Sequence, residues 1–381
     1  MSGGIVRTVT ATGTNAETVA RELLAGFERS DDELRIVVVF ADWRIDSSVL
    51  ARTLQENLPA PVVGCTTIGA IGGPVGTADA PTAAAIGLYG DAVRVGIGVA
   101  AELPKSALAR SRDAVHQAAA ALGRTVEELD PSRHVAFTLV DGTSGIEEAF
   151  CIASAATAPQ IRMVGGCAAT ELGSTRRAYV WSSGKPLADA AIVVLLETTL
   201  PFEAVTSQHM LPTDMKTVVT AAIGRTIDEL DGRPAAERLR ELVSQLGGTL
   251  DESKPSEYSF ARFVDGVPYL RSMTQIEGSR IHLACGVANG HVLRLMRPGD
   301  LIRKTQQDLA NVRDRIGGEM CALLAFSCIG RHWEAASRGL DGALAETYAA
   351  YPTIGFQSYG EQTGMLLVNH TLTGLAIGKP R

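Results

Sequence analysis

Leu34–Thr67, LRIVVVFADWRIDSSVLARTLQENLPAPVVGCTT, sets out a plan that the chain uses three times. The run Ile36 to Phe40 is β-branched, too short for a helix and stopped by Ala41-Asp42, which makes it a buried strand. Asp46 then caps a helix in which Val49, Leu50, Leu54 and Leu58 recur at steps of three and four, and Pro59 ends it. A second strand from Pro61 delivers Gly64-Cys65-Thr66-Thr67 at its carboxyl end, where ligands of open α/β sheets usually sit.

The second copy starts at His134, HVAFTLVDGTSGIEEAFCIASAATAPQIRMVGGCAAT, and the sequence pattern sets Gly64-Cys65 equivalent to Gly166-Cys167. A third, more diverged copy runs from Met320 to Glu361, with one longer helix expected between Ala322–Phe326 and Thr353–Gly360. Helical runs precede the copies at Asn15 to Arg29, Ser106 to Leu122 and Asp300 to Ile316. The fold expected is therefore mixed α/β (α+β), with helix-strand-helix-strand modules in pseudo-symmetric lobes. β-Hairpins are expected to complete mixed sheets. One pairs Ala83–Leu88 with Val93–Ala101 about Tyr89-Gly90-Asp91, and another pairs Ala178–Trp181 with Ala190–Leu196 about Ser183-Gly184-Lys185-Pro186. The glycine-rich Ile68–Pro81 reads as a loop and fits no dinucleotide fingerprint. Beyond residue 201 come a strand at Phe202 to Gln208, an Asp231-Gly232 turn, a helix with Pro234 in its first turn, and an antiparallel meander from Tyr258 to Arg297. Two domains follow, 1–200 with pseudo-repeats at about 15–102 and 106–200, and 201–381.

The chain has 381 residues, 46% of them hydrophobic, and a net charge of −7 with scattered basic residues. Nucleic acid is not an expected partner. MSGGIVRTVTATGT has neither a basic n-region nor an apolar h-region, and no run approaches a membrane span, so a cytoplasmic chain without membrane association is expected. Six cysteines without a Cys-x-x-Cys pair suit a reducing compartment, with neither disulfides nor structural zinc.

Cys65 and Cys167 each follow glycine at a strand end, where backbone N–H groups can hold a thiolate. The reading favoured for each is a small packed residue. No base accompanies either, and Gly-x-Ser-x-Gly is absent, so catalysis is not expected. The seven histidines show no His-x-x-x-His or His-Glu-x-x-His spacing, which gives no sign of a multi-ligand metal centre. A single axial ligand to haem needs no such spacing, and His209 and His370 lie beside strand ends in apolar surroundings. Asp141–Gly145 reads as a helix cap with Ser144 as the capping residue. GFQSYGEQ, residues 355–362, suits a pocket wall in which Tyr359 offers a polar tip and Glu361 accepts a ligand amine.

These residues resemble the FIST family. VVGCTTIGAIGG is similar to its first motif, and VDGTSGIEEAF followed by MVGGCAATELG is similar to its second. IDELDGRPAAERL resembles the turn and helix that open the FIST C-terminal domain, and GFQSYGEQ with VNHTLTGLAIG resembles that domain's end. Residues from about 34 to 378 are covered. The resemblance implies an intracellular sensory protein that binds a small ligand, amino acids being the class proposed for the family, and signals to a separate output protein. It implies a histidine kinase or a cyclic-di-GMP enzyme as partner. The alternative it implies is a haem-binding nitric-oxide sensor or a haem carrier. The chain departs from the family where relatives read Gly-Gly-Ser-Ala-Gly-Asp and it has Gly165–Thr170, and where asparagine-glutamine is replaced by Asn369-His370. The ligand-contacting residues expected are Cys65, Thr66, Cys167, Tyr359, Glu361 and Asn369, with His209 or His370 on iron only if haem is the cofactor.

Overall fold

The computed structural model describes residues 5–27, 33–72, 82–171, 173–254 and 257–380. Most of the expected glycine-rich loop, from residue 73 to 81, lies outside the described residues. Each copy is a parallel strand pair joined across its outer face by helix. Leu34–Asp42 pairs with Val62–Thr67 through the helix Ser47–Asn57, and His134–Asp141 pairs with Arg162–Ala168 through Glu147–Thr157. Asp46 caps the first of these helices, its Oδ1 accepting from the N–H groups of Ser48 (2.9 Å) and Val49 (3.2 Å). Asn15 does the same for Ala16–Phe27 by accepting from Thr18 N–H at 2.9 Å. The second cap departs from expectation: Glu147 rather than Ser144 reaches back to the free N–H of Gly145 (2.8 Å), while the Ser144 hydroxyl donates to the Asp141 carbonyl (2.8 Å). In the third copy Met320–Cys328 pairs with Thr353–Ser358. Two helices connect them, Ile329–Ser337 and Asp341–Ala349, because Gly339 takes a left-handed φ of 65° where the sequence predicts one continuous helix.

The lobes form a ring by exchanging short strands. The free edge of each second parallel strand receives an antiparallel strand from another lobe: Val180–Ser182 on Val62–Thr67, Glu361–Thr363 on Arg162–Ala168, and Ala70–Ile71 on Thr353–Ser358. This exchange covers edges that would otherwise template aggregation. It also overturns both expected hairpins. Thr82–Tyr89 stays in the first lobe, where its end is held by Tyr89 N–H to Ile5 O and Gly90 N–H to Glu33 O, whereas Val93–Ala100 joins Ala191–Thr198 in the second. Val180–Ser182 pairs with Lys185–Leu187 across the expected turn, and not with Ala191–Thr198.

Register corrects the expected equivalence of the two cysteines. The parallel partners are Val39 with Gly64, Thr138 with Gly165 and Ala325 with Gly355. A Cβ on these glycines would lie 2.0 Å from Val39 O, 2.5 Å from Thr138 O and 1.9 Å from Ala325 O, so all three hold the same close strand approach. Cys65 is therefore equivalent to Gly166, and Thr66 to Cys167. A one-residue offset reverses the face. Cys65 points into the central core, and Cys167 points to the opposite face of its sheet.

The inner faces of the three sheets meet around Phe40, Phe137, Phe326 and Phe356, with Phe40 and Phe356 ring centroids 4.8 Å apart. Between the strand Phe202–Ser207 and the third copy the chain inserts a closed ring of six antiparallel strands. Leu211–Ile223 pairs with both Thr226–Leu230 and Val292–Arg297, and Ser259–Val264, Val267–Glu277 and Arg280–Leu283 complete the circuit. The helix Ala235–Gln245 packs Leu239, Leu242 and Val243 against this barrel's apolar residues. Two polar clamps dock the barrel on the second lobe: Arg225 pairs with Glu147, while Glu148 accepts from Arg271 Nη1 and from Gly286 N–H, each at 2.6 Å. Among the described residues no helix is long and apolar enough to cross a membrane.

Candidate functional site

The helix Ile329–Ser337 starts at the carboxyl end of the central strand of the third lobe, so its first turn faces whatever lies beyond the sheet. Gly330, Trp333, Glu334 and Ser337 fall at three- and four-residue steps and form one face, which Arg338 extends. That face is one wall of a cleft of about 880 Å³ between the second lobe, the third lobe and the barrel. Met273, Leu283 and Ala284 of the barrel line the cleft too, as do the exposed Lys254 and Glu257.

Three of the residues expected to contact ligand share this cleft. Cys167, Tyr359 and Asn369 all line it. The Tyr359 hydroxyl donates to the carbonyl of Thr170 and so fixes the ring between lobes. Asn369 is fully buried, and neither Oδ1 nor Nδ2 has a hydrogen-bond partner. An unpaired buried amide costs about 1–3 kcal/mol, so its place on a cleft wall singles it out. Cys167 is a buried thiol whose pKa is raised well above its usual value by burial and then by Glu147, which leaves it protonated at neutral pH.

The structure places the other expected residues elsewhere. Cys65 is fully buried among the central aromatics, and burial raises its pKa too. Thr66 ties the first lobe to the second, its hydroxyl accepting from Tyr179 N–H at 3.0 Å and its carbonyl from Ala169 N–H at 2.9 Å. Glu361 is fully buried one layer behind the cleft, where Ser358 donates to its Oε1 at 2.6 Å and its Oε2 has no partner. Burial holds its carboxyl well above the ordinary range, so it does not present a carboxylate to a ligand amine.

His209 and His370 come together behind the helix wall. Their Nε2 atoms lie 2.7 and 2.8 Å from the same oxygen of Glu334, Oε2, with ring centroids 5.5 Å apart. Arg338 donates to the other carboxylate oxygen. Burial lowers the pKa of His209 to about 4 despite the Glu334 contact. Burial alone would raise the pKa of Glu334, but the bonds from the two imidazoles outweigh it and hold this carboxyl below its usual range. The arrangement at neutral pH is thus a carboxylate accepting from a neutral His209. It does not fit haem: the side chains of His209 and His370 are 0% and 1% exposed, and both Nε2 atoms are turned to Glu334 rather than toward a slot that a porphyrin could enter.

Sequence reasoning missed Trp333, Glu334 and Arg338, whose signal is the polar i, i+3, i+4 stripe of a helix opening at a strand's carboxyl end. It also missed the barrel's contribution, because strands outside every motif carry no local mark of the cleft they line.

A partly enclosed cleft at a junction of domains, with polar groups that converge on it, is the architecture of a small-molecule-binding protein. Comparison with known families then places the chain. Residues 35–233 match the FIST N domain and residues 235–363 match the FIST C domain, and the chain belongs to the FIST family. FIST domains form sensory modules that bind small ligands. No curated protein sequence matches the chain. Among solved structures, the chain is similar to a cyanuric acid hydrolase from A. caulinodans at 11% identity, with 99% of each chain covered and a TM-score of 0.37.

Proposed function

We propose that this protein is a sensor without catalytic activity, which binds a small polar molecule in the cleft between the lobes and the barrel and passes that state to a separate protein. The observation that carries the reading is Asn369, a fully buried amide on the cleft wall whose donor and acceptor both lack partners. A ligand with an adjacent acceptor and donor completes it. An amino acid suits the rest of the wall, since Arg338, which also holds Glu334, and Lys254, beside Asp251, bring positive charge for a carboxylate and Glu257 brings negative charge for an ammonium group. The raised pKa of the Cys167 thiol supports binding over nucleophilic chemistry. Because the cleft joins two lobes and the barrel, its occupant bridges all three, which is how bound ligand would alter an outer surface read by a partner. By family resemblance that partner is an intracellular histidine kinase or cyclic-di-GMP enzyme.

The experiment is a thermal-shift screen of the purified chain against the standard amino acids, followed by calorimetric titration of any hit into the parent and into Asn369→Leu. The parent should bind one equivalent. The variant should lose at least about tenfold in affinity, equal to 1.4 kcal/mol, while its ligand-free form melts no lower than the parent. Undiminished binding by the variant contradicts the proposal.

A further inference from the structure

We infer that His209, His370 and Glu334 form a binding site for a divalent first-row transition-metal ion in the wall of the cleft. This inference does not depend on the identity of the small ligand. The three side chains come from separate places: His209 follows the strand Phe202–Ser207, His370 lies in the turn before Leu372–Gly378, and Glu334 is on the helix Ile329–Ser337. They nevertheless bring their ligating atoms within 4.8 Å of one another. The two imidazole nitrogens approach a single carboxylate oxygen at 2.7 and 2.8 Å. Ligands held at about 2.0–2.1 Å from an ion lie roughly 3 Å apart, so a small outward shift of each group makes room for one.

Hydrogen bonds to Glu334 leave the cluster incomplete. The Nδ1 atoms of both histidines are buried without a partner, so neither ring is locked in the tautomer that donates from Nε2, and the other tautomer turns an Nε2 lone pair to an ion. The backbone is committed to the arrangement as well. His370 sits at a φ of 53°, a left-handed conformation costly for a residue with a Cβ, and a Cβ on Gly330 would lie 2.9 Å from its Nδ1. Two imidazoles with one carboxylate suit Zn²⁺, Co²⁺ or Fe²⁺, whereas Mg²⁺ and Ca²⁺ take all-oxygen sets. Arg338 occupies the second oxygen of Glu334, which leaves Oε2 as the oxygen that faces both imidazoles. Three protein ligands leave at least one coordination position open, and Glu334 and Asn369 both belong to the cleft wall.

The full chain, stripped with a chelator and dialysed free of it, is titrated with Co²⁺ by visible absorption and with Zn²⁺ against a chromophoric competitor. One equivalent should bind, with Co²⁺ d–d bands. His209→Ala, His370→Ala and Glu334→Gln should each weaken binding by more than about 100-fold, and His282→Ala, at a surface histidine paired with Glu277, should leave it unchanged. Circular dichroism checks that each variant folds. If a variant does not, X-ray absorption at the zinc edge of the loaded parent decides, two imidazole scatterers being the expected shell. A parent that takes up no stoichiometric ion, folded variants that bind as the parent does, or a zinc shell without imidazole overturns the inference. Asn369→Leu should retain the ion while losing small-molecule affinity, which separates failure of this site from failure of the ligand cleft.

Discussion

Glu361 illustrates how one residue's surroundings decide its role. The sequence places it in a glycine- and aromatic-rich segment and suits it to an exposed carboxylate, but the short strand it begins is exchanged into the second lobe, opposite Gly166, and buries it completely. Burial raises its pKa well above the ordinary value of 4.5, against the opposing bond from Ser358. Above that ordinary value the unfolded chain gives up the proton that the folded chain keeps, so this group makes the protein progressively less stable as pH rises. Glu361→Gln should therefore be close to neutral near pH 4 and stabilising by a margin that grows toward pH 8. Urea midpoints across that range check the slope, and a constant difference would mean that Glu361 ionises in the folded state. Other residues were better marked. Tyr359, Cys167 and Asn369, all expected to contact ligand, line the cleft, and His209 and His370 meet as a pair, though around Glu334 rather than an iron porphyrin. Spacing motifs look for paired ligands within one element. This cluster draws on three elements, so no spacing could reveal it.

At the scale of elements, the helices and the parallel strand pairs were legible because their signals are local: period, cap and terminator. Ala16–Phe27, Ala107–Ala121 and Leu301–Arg315 all fall within the helical runs read from the sequence. Strand partners were not legible, because a turn shows where a chain reverses and does not show which sheet receives the next strand. The equivalence of Gly64-Cys65 with Gly166-Cys167 failed for a related reason: Gly165-Gly166 offers two alignments, and only the contact of Gly165 with Thr138 selects between them. These glycines lead to a prediction of opposite signs. Gly355→Ala puts a Cβ 1.9 Å from the Ala325 carbonyl within a parallel pair, and should destabilise by about 3 kcal/mol or more. Gly342→Ala lies in the helix Asp341–Ala349 with open space about it, and should stabilise by about 0.5 kcal/mol. Guanidinium unfolding of the two variants measures both. A benign Gly355→Ala would show that the strands can separate without cost, contrary to their equivalence across the three lobes.

In the whole molecule, three similar lobes share an aromatic centre while the barrel interrupts the third and leans on the second. The clamp at Glu148 is central to that contact: it neutralises Arg271, which is only 4% exposed, and binds Gly286 N–H beside it. Glu148→Ala leaves a buried cation without its partner, at a cost of about 3–5 kcal/mol. It should also speed amide exchange in the barrel strands nearest the second lobe and weaken ligand binding, because the barrel supplies one cleft wall. Hydrogen exchange by mass spectrometry reads the first effect, and exchange unchanged from the parent would show that the barrel is held by other contacts. The central claim is that the cleft is the ligand site and that Asn369 reads the ligand. Its most direct test is a crystal structure of the chain grown with the small molecule that the thermal-shift screen selects. The account predicts density for that molecule between the helix Ile329–Ser337 and the barrel, with Asn369 Oδ1 and Nδ2 both bonded to it. Density bound elsewhere, or an Asn369 amide satisfied by the protein's own groups with the molecule out of reach, would contradict it.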